Sequence, residues 1–167
     1  MIWEICRSPK WKLYAKGGAY RKWYNNIEHL VDWSDYARGF YKKNGGLLKE
    51  EFVKNEGITW TFATSYKASF RKKDTGIVFS SVSPAIFNKD FVLQEEAIGF
   101  LNSKVSEYLL NVLDPTMANN VGEILSLPII DKENDKSTQL TLDNISFSKS
   151  DWDSFETSWD FKRHPLV

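Results

Sequence analysis

Apolar residues in the second half of the chain follow the spacing of a helix. Between residues 94 and 113 they recur every three or four positions, as Ile98, Leu101, Val105, Tyr108, Leu109 and Val112. This periodicity predicts a single amphipathic helix, whose apolar stripe is more often buried in a core than offered to a partner. Glu95 and Glu96 suit the positive end of the helix dipole, and Asp114-Pro115 predicts where the helix ends.

Runs rich in β-branched and aromatic residues predict the strands. They cover residues 57–62 and 76–82, with shorter candidates at 85–88 and 128–130. The stretch 39–57 predicts a turn followed by a short helix or an irregular connection, and 119–125 predicts a further turn of helix. Together these elements predict one domain over residues 1–167 with a mixed α/β (α+β) fold. In it, a small, mostly antiparallel sheet packs against the one long amphipathic helix.

The composition narrows the class of protein. With 167 residues, 42% of them hydrophobic, the chain can bury one core. No run approaches the roughly 18 apolar residues of a membrane span, and the first residues lack a signal-peptide pattern, so we expect a cytoplasmic protein without a membrane partner. The single cysteine, Cys6, and the histidines His29 and His164 do not have the spacing of metal ligands, so no metal site is predicted.

The zero net charge conceals an uneven distribution. Residues 1–78 carry 15 Lys and Arg against 8 Asp and Glu, a net charge of +7, whereas residues 79–167 carry 7 against 14, a net charge of −7. A polyanion responds to the local potential of a protein surface and not to the total charge. Nucleic acid is therefore the leading candidate partner.

The first segment combines cations with aromatic rings. Residues 5–27 contain no acidic residue, and their basic side chains alternate with Trp11, Tyr14, Tyr20, Trp23 and Tyr24. Phosphates need cationic donors, and an exposed base needs a ring on which to stack, so this mixture suits nucleic acid. Lys16-Gly17-Gly18 would let the backbone approach a ligand closely or would simply turn the chain. The alternative is an edge strand with solvated lysines and buried rings.

A second basic run, from Lys67 to Asp74, lies between two predicted strands and is therefore expected to form a connection. Lysine and arginine in such a loop could reach phosphates or a guanine edge. A polar hairpin tip with no ligand is the alternative interpretation.

Acidic residues in the chain have simpler explanations than catalysis. The segment 131–136 predicts a solvated charged loop, and the acids around Trp152, Phe155 and Trp159 fit capping at the start of a helix. Glu51 with Lys54, and Asp160 with Lys162, leave an independent nuclease open as a third hypothesis, although such pairs arise readily by chance.

Several phrases of the sequence together resemble one family. They are Lys16-Gly-Gly with Arg21-Lys-Trp-Tyr-Asn25, Gly57-Ile-Thr-Trp60, Gly99-Phe-Leu-Asn-Ser-Lys-Val105, Asp114-Pro-Thr followed by Val121-Gly-Glu-Ile124 and Pro128, and the closing 151–161. The family is the adenine-specific DNA methyltransferases of BREX-type phage-exclusion systems, in the part that follows the catalytic domain. The Leu-Asn-Ser helix with its short Leu-Pro segment is also similar to the target-recognition domains of type I restriction specificity subunits.

This resemblance implies methyl transfer from S-adenosylmethionine to N6 of an adenine that is flipped out of the duplex. The Asn/Asp-Pro-Pro-Tyr/Phe tetrapeptide that holds the adenine in such enzymes is absent here, because Asp114-Pro-Thr-Met117 lacks the second proline and the ring. No glycine-rich cofactor loop follows a predicted strand either. We therefore expect no catalytic residue and no cofactor in this chain, with S-adenosylmethionine bound elsewhere in the parent enzyme.

The predicted function is a sequence-reading, DNA-binding fragment of a larger methyltransferase. Its expected partners are double-stranded DNA, the catalytic domain of the parent, and other subunits of the defence system. Residues 1–78 would form the basic DNA face, and residues 79–167 would support it. The predicted DNA-binding residues are Lys12, Lys16, Arg21, Lys22, Trp60, Tyr66, Lys67, Arg71, Lys72 and Lys73. The alternative from another class is a protein-interaction or structural spacer module of the same defence complex.

Overall fold

The computed structural model describes residues 8–87, 94–129, 135–164 and 166. In these ranges the strands are β1 (Trp11–Ala15), β2 (His29–Asp32), β3 (Gly57–Trp60), β4 (Phe70–Lys73), β5 (Val78–Phe79) and β6 (Ala85–Ile86). The helices are α1 (Asp35–Lys43), α2 (Glu50–Lys54), α3 (Gln94–Leu101), α4 (Lys104–Leu113), α5 (Val121–Leu125) and α6 (Asp135–Asp153). Cys6 and the segment 131–134, on which sequence-based expectations were placed, lie outside the described residues.

The strands form two small sheets of three strands each. In the first sheet, in the order β2-β1-β5, β1 runs antiparallel to β2 and parallel to β5. The second sheet has the order β4-β3-β6 and is antiparallel throughout. The predicted mixed α/β class with small antiparallel sheets is confirmed, but the strands divide into two sheets where the sequence predicted one.

The main core lies between the second sheet and the helices. Trp60 of β3 and Phe70 of β4 are fully buried, with ring centroids 5.9 Å apart, and they pack with Ile98 and Leu101 of α3 and Ile124 of α5. The α3 and α6 helices meet closely at Gly99, where a Cβ atom would lie 2.6 Å from the Thr141 hydroxyl oxygen. The first sheet has a smaller core of Ala15, Ile27 and Ile77.

The prediction of one long helix over residues 94–113 is wrong. The chain breaks after Leu101, and Ser103 caps a second helix by accepting a hydrogen bond from the Ser106 N–H. Beyond the break, part of the predicted stripe faces solvent, since Val105 and Tyr108 are 61% and 69% exposed, whereas Leu109 still packs against the core. The helix does end at Asp114, as its sequence predicts.

Other elements also depart from the pattern-based expectations. The run from Lys67 to Asp74 is not a connection, since most of its second half forms β4. The α1 helix was not predicted, although Ser34 caps it by accepting from the Ala37 N–H. Asp135 and Lys136 begin the 19-residue α6 helix and not a charged loop. Of the predicted strand 128–130, the described residues Pro128 and Ile129 are not in a strand, whereas β6 and α5 are confirmed.

None of the helices in the described ranges is both long and apolar enough to span a membrane. The longest, α6, carries polar residues around most of its surface.

Candidate nucleic-acid interface

An open groove of about 530 Å³ lies beside the turn that follows β1. Its walls come from both ends of the sequence, and its lining residues are Lys16, Gly17, Gly18, Ala19, Arg21, Asn26, Glu28, His29, Trp152 and Thr157. The groove therefore joins the basic first segment to the end of α6 and the turn that follows it. Its lining is polar and of mixed charge, with the cations Lys16 and Arg21, the carboxylate of Glu28 and one large ring, Trp152.

The glycine pair lines the groove, and both glycines adopt backbone conformations that residues with a side chain rarely adopt. Gly17 and Gly18 have φ angles of +82° and +130°. A Cβ atom on Gly17 would also lie 3.2 Å from the Val82 carbonyl oxygen, so the turn passes directly against the chain beneath it. The Asn26 side-chain amide donates to the Ala19 carbonyl at 2.8 Å and closes the turn. The glycine pair therefore turns the chain and lets it pack closely on Val82, while the close approach to a ligand stays a prediction.

Left-handed backbone is concentrated in the segment after this turn. Trp23, Asn25 and Asn26 have φ angles of 75°, 134° and 62°, and they are the non-glycine residues with positive φ among those that the structure describes. Asparagine tolerates such angles, but tryptophan does so at a cost of about 1 to 3 kcal/mol. The Trp23 N–H donates to the Phe70 carbonyl, and the Trp23 carbonyl accepts from the Lys72 N–H, so β4 holds the strained residue in place.

Two cations of the first segment border the groove. Lys16 is exposed and has no ion pair or hydrogen bond to a described residue. The Arg21 guanidinium lies 5.6 Å from the centre of the Trp152 ring and 3.6 Å from an Asp151 carboxylate oxygen. Its side chain is nevertheless partly exposed, so Arg21 is oriented by the end of α6 and still faces solvent.

The remaining predicted residues in the outer part of the molecule are more occupied. The Lys22 ammonium donates to the Asn102 carbonyl at 2.6 Å, and Lys72 pairs with Glu56 at 3.2 Å. Lys67 pairs with Glu107 at 2.6 Å, and this hydrogen bond raises the pKa of Lys67. Tyr66 is well exposed and meets the Tyr20 ring edge-on at 4.9 Å. Lys12 is half-buried on β1.

Three predicted DNA contacts lie inside the protein. Trp60 is fully buried and its indole N–H donates to the Asn119 carbonyl, so the ring belongs to the core and is not placed to approach a base. Arg71 and Lys73 are 1% and 0% exposed. Because they lie in a strand and not in a loop, they share the face opposite to Phe70, and that face is covered.

On the covered face of β4, Arg71 and Lys73 donate hydrogen bonds to uncharged oxygen atoms. The Arg71 guanidinium donates to the Thr61 hydroxyl at 3.1 Å and to the Ser69 hydroxyl at 3.4 Å, and no carboxylate of the described residues pairs with it. The Lys73 ammonium donates to the Asn55 carbonyl at 2.8 Å. Burial lowers the pKa of Arg71 to about 10 and that of Lys73 to about 8.

Arg71 reaches the groove only through a second side chain. The Thr61 hydroxyl that accepts from Arg71 itself donates to the Gly18 carbonyl at 3.2 Å. The buried guanidinium thus supports the glycine turn from behind. Sequence reasoning missed this supporting role, and it also missed Asn26, His29 and Trp152 as groove residues, because they are distant in sequence from Lys16.

In the described ranges, most of the acids and lysines considered for a nuclease form ion pairs, and Asp160 and Lys162 line one open pocket together with Lys149 and Asp153. Lys54 pairs with Glu50 while Glu51 lies near Lys49, and Asp160 pairs with Lys149 and not with Lys162. Within the ranges that the structure describes, no group of three or more His, Cys, Asp or Glu side chains is placed to hold a metal ion.

Comparison with known proteins connects the chain to larger enzymes. The adenine-specific methyltransferase PglX of Lacticaseibacillus casei (strain Zhang) is 35% identical over 98% of this chain. The adenine-specific methyltransferase BrxX of Escherichia coli O9:H4 (strain HS) is 31% identical over 96% of it. The chain is therefore homologous to a segment of these two adenine-specific methyltransferases. It spans only 14% and 13% of the length of these two relatives, and no protein-family model matches it.

Two of the phrases that carry the resemblance to the BREX-type methyltransferases line the groove. They are Lys16-Gly-Gly with Arg21, and the closing 151–161 phrase with Trp152. Gly57–Trp60 forms β3, at whose end Thr61 supports the turn. In the phrase 99–105, the Asn102 side chain exchanges two hydrogen bonds with the backbone of Phe70 on β4. Segments far apart in sequence therefore contribute to one structural unit around the groove.

Proposed function

We propose that this chain is the DNA target-recognition segment of a larger adenine-N6 DNA methyltransferase of a phage-defence system. In this proposal catalysis and S-adenosylmethionine binding reside elsewhere in the parent enzyme, and this segment has no cofactor of its own. The homology to PglX and BrxX supports the parent activity. The observation that carries DNA binding is the groove, where Lys16 and Arg21 face solvent over a glycine turn.

The groove suits a phosphodiester backbone for physical reasons. Lys16 supplies a positive charge that no described residue pairs with, and Arg21 supplies a planar donor that is already oriented by the Trp152 ring. A phosphate would compete with the exposed Asp151 carboxylate for Arg21, at little cost because such surface ion pairs are weak. The Gly17–Gly18 backbone allows a close approach. Tyr66 and Lys67, which adjoin Tyr20, extend this surface.

The partners in this proposal are duplex DNA, the catalytic part of the parent and other subunits of the defence system. The segment orients the duplex, and the catalytic part modifies an adenine. An enzyme that modifies DNA in a bacterial cell would act in the cytoplasm. Lys12, Lys22 and Lys72 contribute to the local potential, whereas the buried Trp60, Arg71 and Lys73 are left out of the proposed contact surface.

A charge-reversal experiment tests this proposal. Binding of the chain to a duplex of defined length is measured over a salt series for the wild type and for Lys16→Glu/Arg21→Glu. We expect the variant to bind at least about tenfold more weakly at low salt, with a log–log salt slope smaller by about two, because two phosphate contacts are lost.

The matched control is Lys104→Glu/Lys136→Glu, which makes the same change in net charge. Both lysines are exposed, lie outside the groove and occupy the first turns of α4 and α6, where a glutamate suits the helix dipole. If the control weakens binding as much as the groove variant does, the groove is not the DNA site. A wild-type chain that shows no salt-dependent binding contradicts the whole proposal.

One observation favours a second candidate, a protein-interaction module of the same defence complex. Val105, Tyr108 and Val112 form an exposed apolar stripe on α4. Under this hypothesis Val105→Ser/Tyr108→Ser weakens association with the catalytic part of the parent, while Lys16→Glu/Arg21→Glu leaves DNA binding of the complete enzyme unchanged. The two variants therefore separate the two functions.

A further inference from the structure

A second concave site of about 640 Å³ lies against the first sheet. Rings from three elements form its walls: Tyr14 of β1, Trp33 after β2 and Tyr41 of α1. The Trp33 and Tyr41 rings are 6.3 Å apart and tilted by 39°, and aliphatic side chains such as Leu48 complete the wall. A site with several ring faces favours a flat ligand, because a planar ring gains most from stacking on them.

Polar groups in the pocket point to a ligand that also forms hydrogen bonds. Ser80 lines the pocket, and its hydroxyl is turned into the protein, where it is shielded from solvent and has no hydrogen-bond partner among the described residues. A buried hydroxyl without a partner loses the water that would otherwise satisfy it, so a ligand with a donor or acceptor would restore that bond. The Gly45-Gly46 turn, with Gly45 at φ +74°, brings backbone to the rim without side chains in the way.

The pocket adjoins the groove of Lys16 and Arg21. Tyr14, in the pocket wall, stands directly opposite His29, in the groove wall, across the β1–β2 ladder. Residues directly opposite each other in such a ladder lie on the same face of the sheet, with Cβ atoms roughly 5 Å apart. Lys12, opposite Val31, adds a cation to that face. One face of the first sheet thus carries Lys12, then the aromatic pocket at Val31 and Tyr14, and then the edge of the groove at His29.

We propose that this pocket binds an unpaired nucleobase of a DNA strand whose backbone lies in the groove. This inference rests on the proposed function, because it takes DNA as the occupant of the groove. The base stacks on one or two of the rings of Tyr14, Trp33 and Tyr41, and rotation of the Ser80 side chain toward the pocket lets its hydroxyl bond to the polar edge of the base. Because every base has a ring face, stacking alone would be tolerant of sequence, and the contact to Ser80 would discriminate among edges.

The site is separate from one that would hold a base for methylation. The tetrapeptide that holds the reacting adenine in adenine methyltransferases is absent from this chain. The pocket would instead hold a base that is displaced from pairing near the reaction site, which stabilises an opened duplex.

The test compares two duplexes of equal length, one fully paired and one with a single extra, unpaired 2-aminopurine. We expect the chain to bind the bulged duplex about tenfold more tightly, as stacking of one base predicts, and to change the 2-aminopurine fluorescence on binding. Trp33→Leu should remove the preference while leaving affinity for the paired duplex within about twofold.

Two further variants complete the design. Ser81→Trp fills the pocket from an exposed position in its wall without removing any packed ring, so it keeps the test decisive if Trp33→Leu does not fold. Tyr36→Leu is the matched control, since Tyr36 is 89% exposed on α1 and lines no part of the pocket. It should keep the preference in full.

The outcomes separate this inference from the function on which it rests. The chain could bind both duplexes equally and in a salt-dependent way, with no effect of Trp33→Leu or Ser81→Trp. That result overturns the assignment of the pocket to a base but leaves the proposed DNA binding intact. Lack of binding to either duplex overturns the proposed function itself. A preference for the bulge that Tyr36→Leu removes as strongly as Trp33→Leu does also overturns the pocket assignment.

Discussion

Two basic stretches of the same sequence have opposite fates in this structure. The cations of the Lys16–Arg21 turn face an open groove, whereas those of β4 at Arg71 and Lys73 are among the most buried side chains that the structure describes. The difference follows from backbone conformation. A turn presents its side chains outward, while a strand sends alternate residues to opposite faces, and here both faces of β4 are covered.

This contrast changes what the charge asymmetry means. Part of the positive charge of residues 1–78 is already engaged within the chain, because Lys67 and Arg21 form surface ion pairs with acids from the second half and Lys22 donates to a backbone carbonyl. The basic side chains of residues 1–78 therefore both bind residues 79–167 and face solvent. Counting charges along a sequence overestimates the potential available to DNA, and the exposed turn is the better indicator.

The strongest test of the difference between the Lys16–Arg21 turn and β4 is to reverse one charge in each. Arg71→Glu would place a carboxylate in a covered site whose partners are hydroxyl groups, so it should lower the free energy of unfolding by more than about 3 kcal/mol. Arg21→Glu, on the exposed turn, should change it by less than about 1 kcal/mol. Urea unfolding monitored by tryptophan fluorescence measures both values.

Equal unfolding midpoints for Arg71→Glu and the wild type would show that Arg71 is accessible to solvent, and the comparison would then fail. The Arg21 variant also serves as the control for DNA binding. Arg21→Glu should lose affinity for DNA and stay folded. In Arg71→Glu, by contrast, a loss of DNA affinity could not be separated from the loss of stability.

The second prediction uses the pH dependence of stability. Burial lowers the pKa of Lys73 to about 8, below the pKa of a lysine in the unfolded chain, which is near 10.4. Between these values the unfolded chain binds more protons than the folded chain, so stability should rise as the pH increases from about 8 to 10.4. Below pH 8 both states are protonated, and the full penalty for burying the charge, roughly 3 kcal/mol, is present.

Lys73→Met isolates this effect, because methionine keeps most of the side-chain volume without the charge. The difference in unfolding free energy between wild type and variant should shift in favour of the wild type as the pH rises through that window. Chemical denaturation at pH 7, 8, 9 and 10 measures the shift. Lys16→Met is the matched control, because it makes the same substitution at an exposed lysine of the turn.

The sequence predicted elements that local chemistry determines, but not those that depend on tertiary contacts. The end of α4 at Asp114 and the α5 helix with its Asn120 cap follow from proline, polar caps and periodicity. The break at Asn102 does not, because it is stabilised by the side-chain amide of Asn102 pairing with the backbone of Phe70, 32 positions away. Apolar spacing continues across the break and gives no sign of it.

The candidate site shows the same division. Lys16, Arg21 and the glycine pair were identifiable because cations and glycines on a turn are a local signal. Trp152 and His29 were not, since they join the groove through the docking of α6 and the β1–β2 register. The burial of Arg71 was equally hidden, because the Thr61 hydroxyl that accepts from it becomes a neighbour only when β3 pairs with β4.

The smallest effect concerns Lys67, which lies between the two regions. It precedes β4 by two residues and stands beside Tyr66, which touches Tyr20 of the exposed turn. Its ammonium is held by the Glu107 carboxylate at 2.6 Å, so part of its charge is unavailable to a phosphate. If the DNA surface extends to this point, Glu107→Gln should raise duplex affinity about threefold at low salt, with the gain lost at high salt.

Lys67→Gln should lower duplex affinity by a similar factor. In the double variant the gain from Glu107→Gln should shrink, because the lysine that this substitution frees is no longer present. If Glu107→Gln changes duplex affinity equally with and without Lys67, the substitution only relieves long-range repulsion between the Glu107 carboxylate and DNA. The DNA surface would then end at Tyr20.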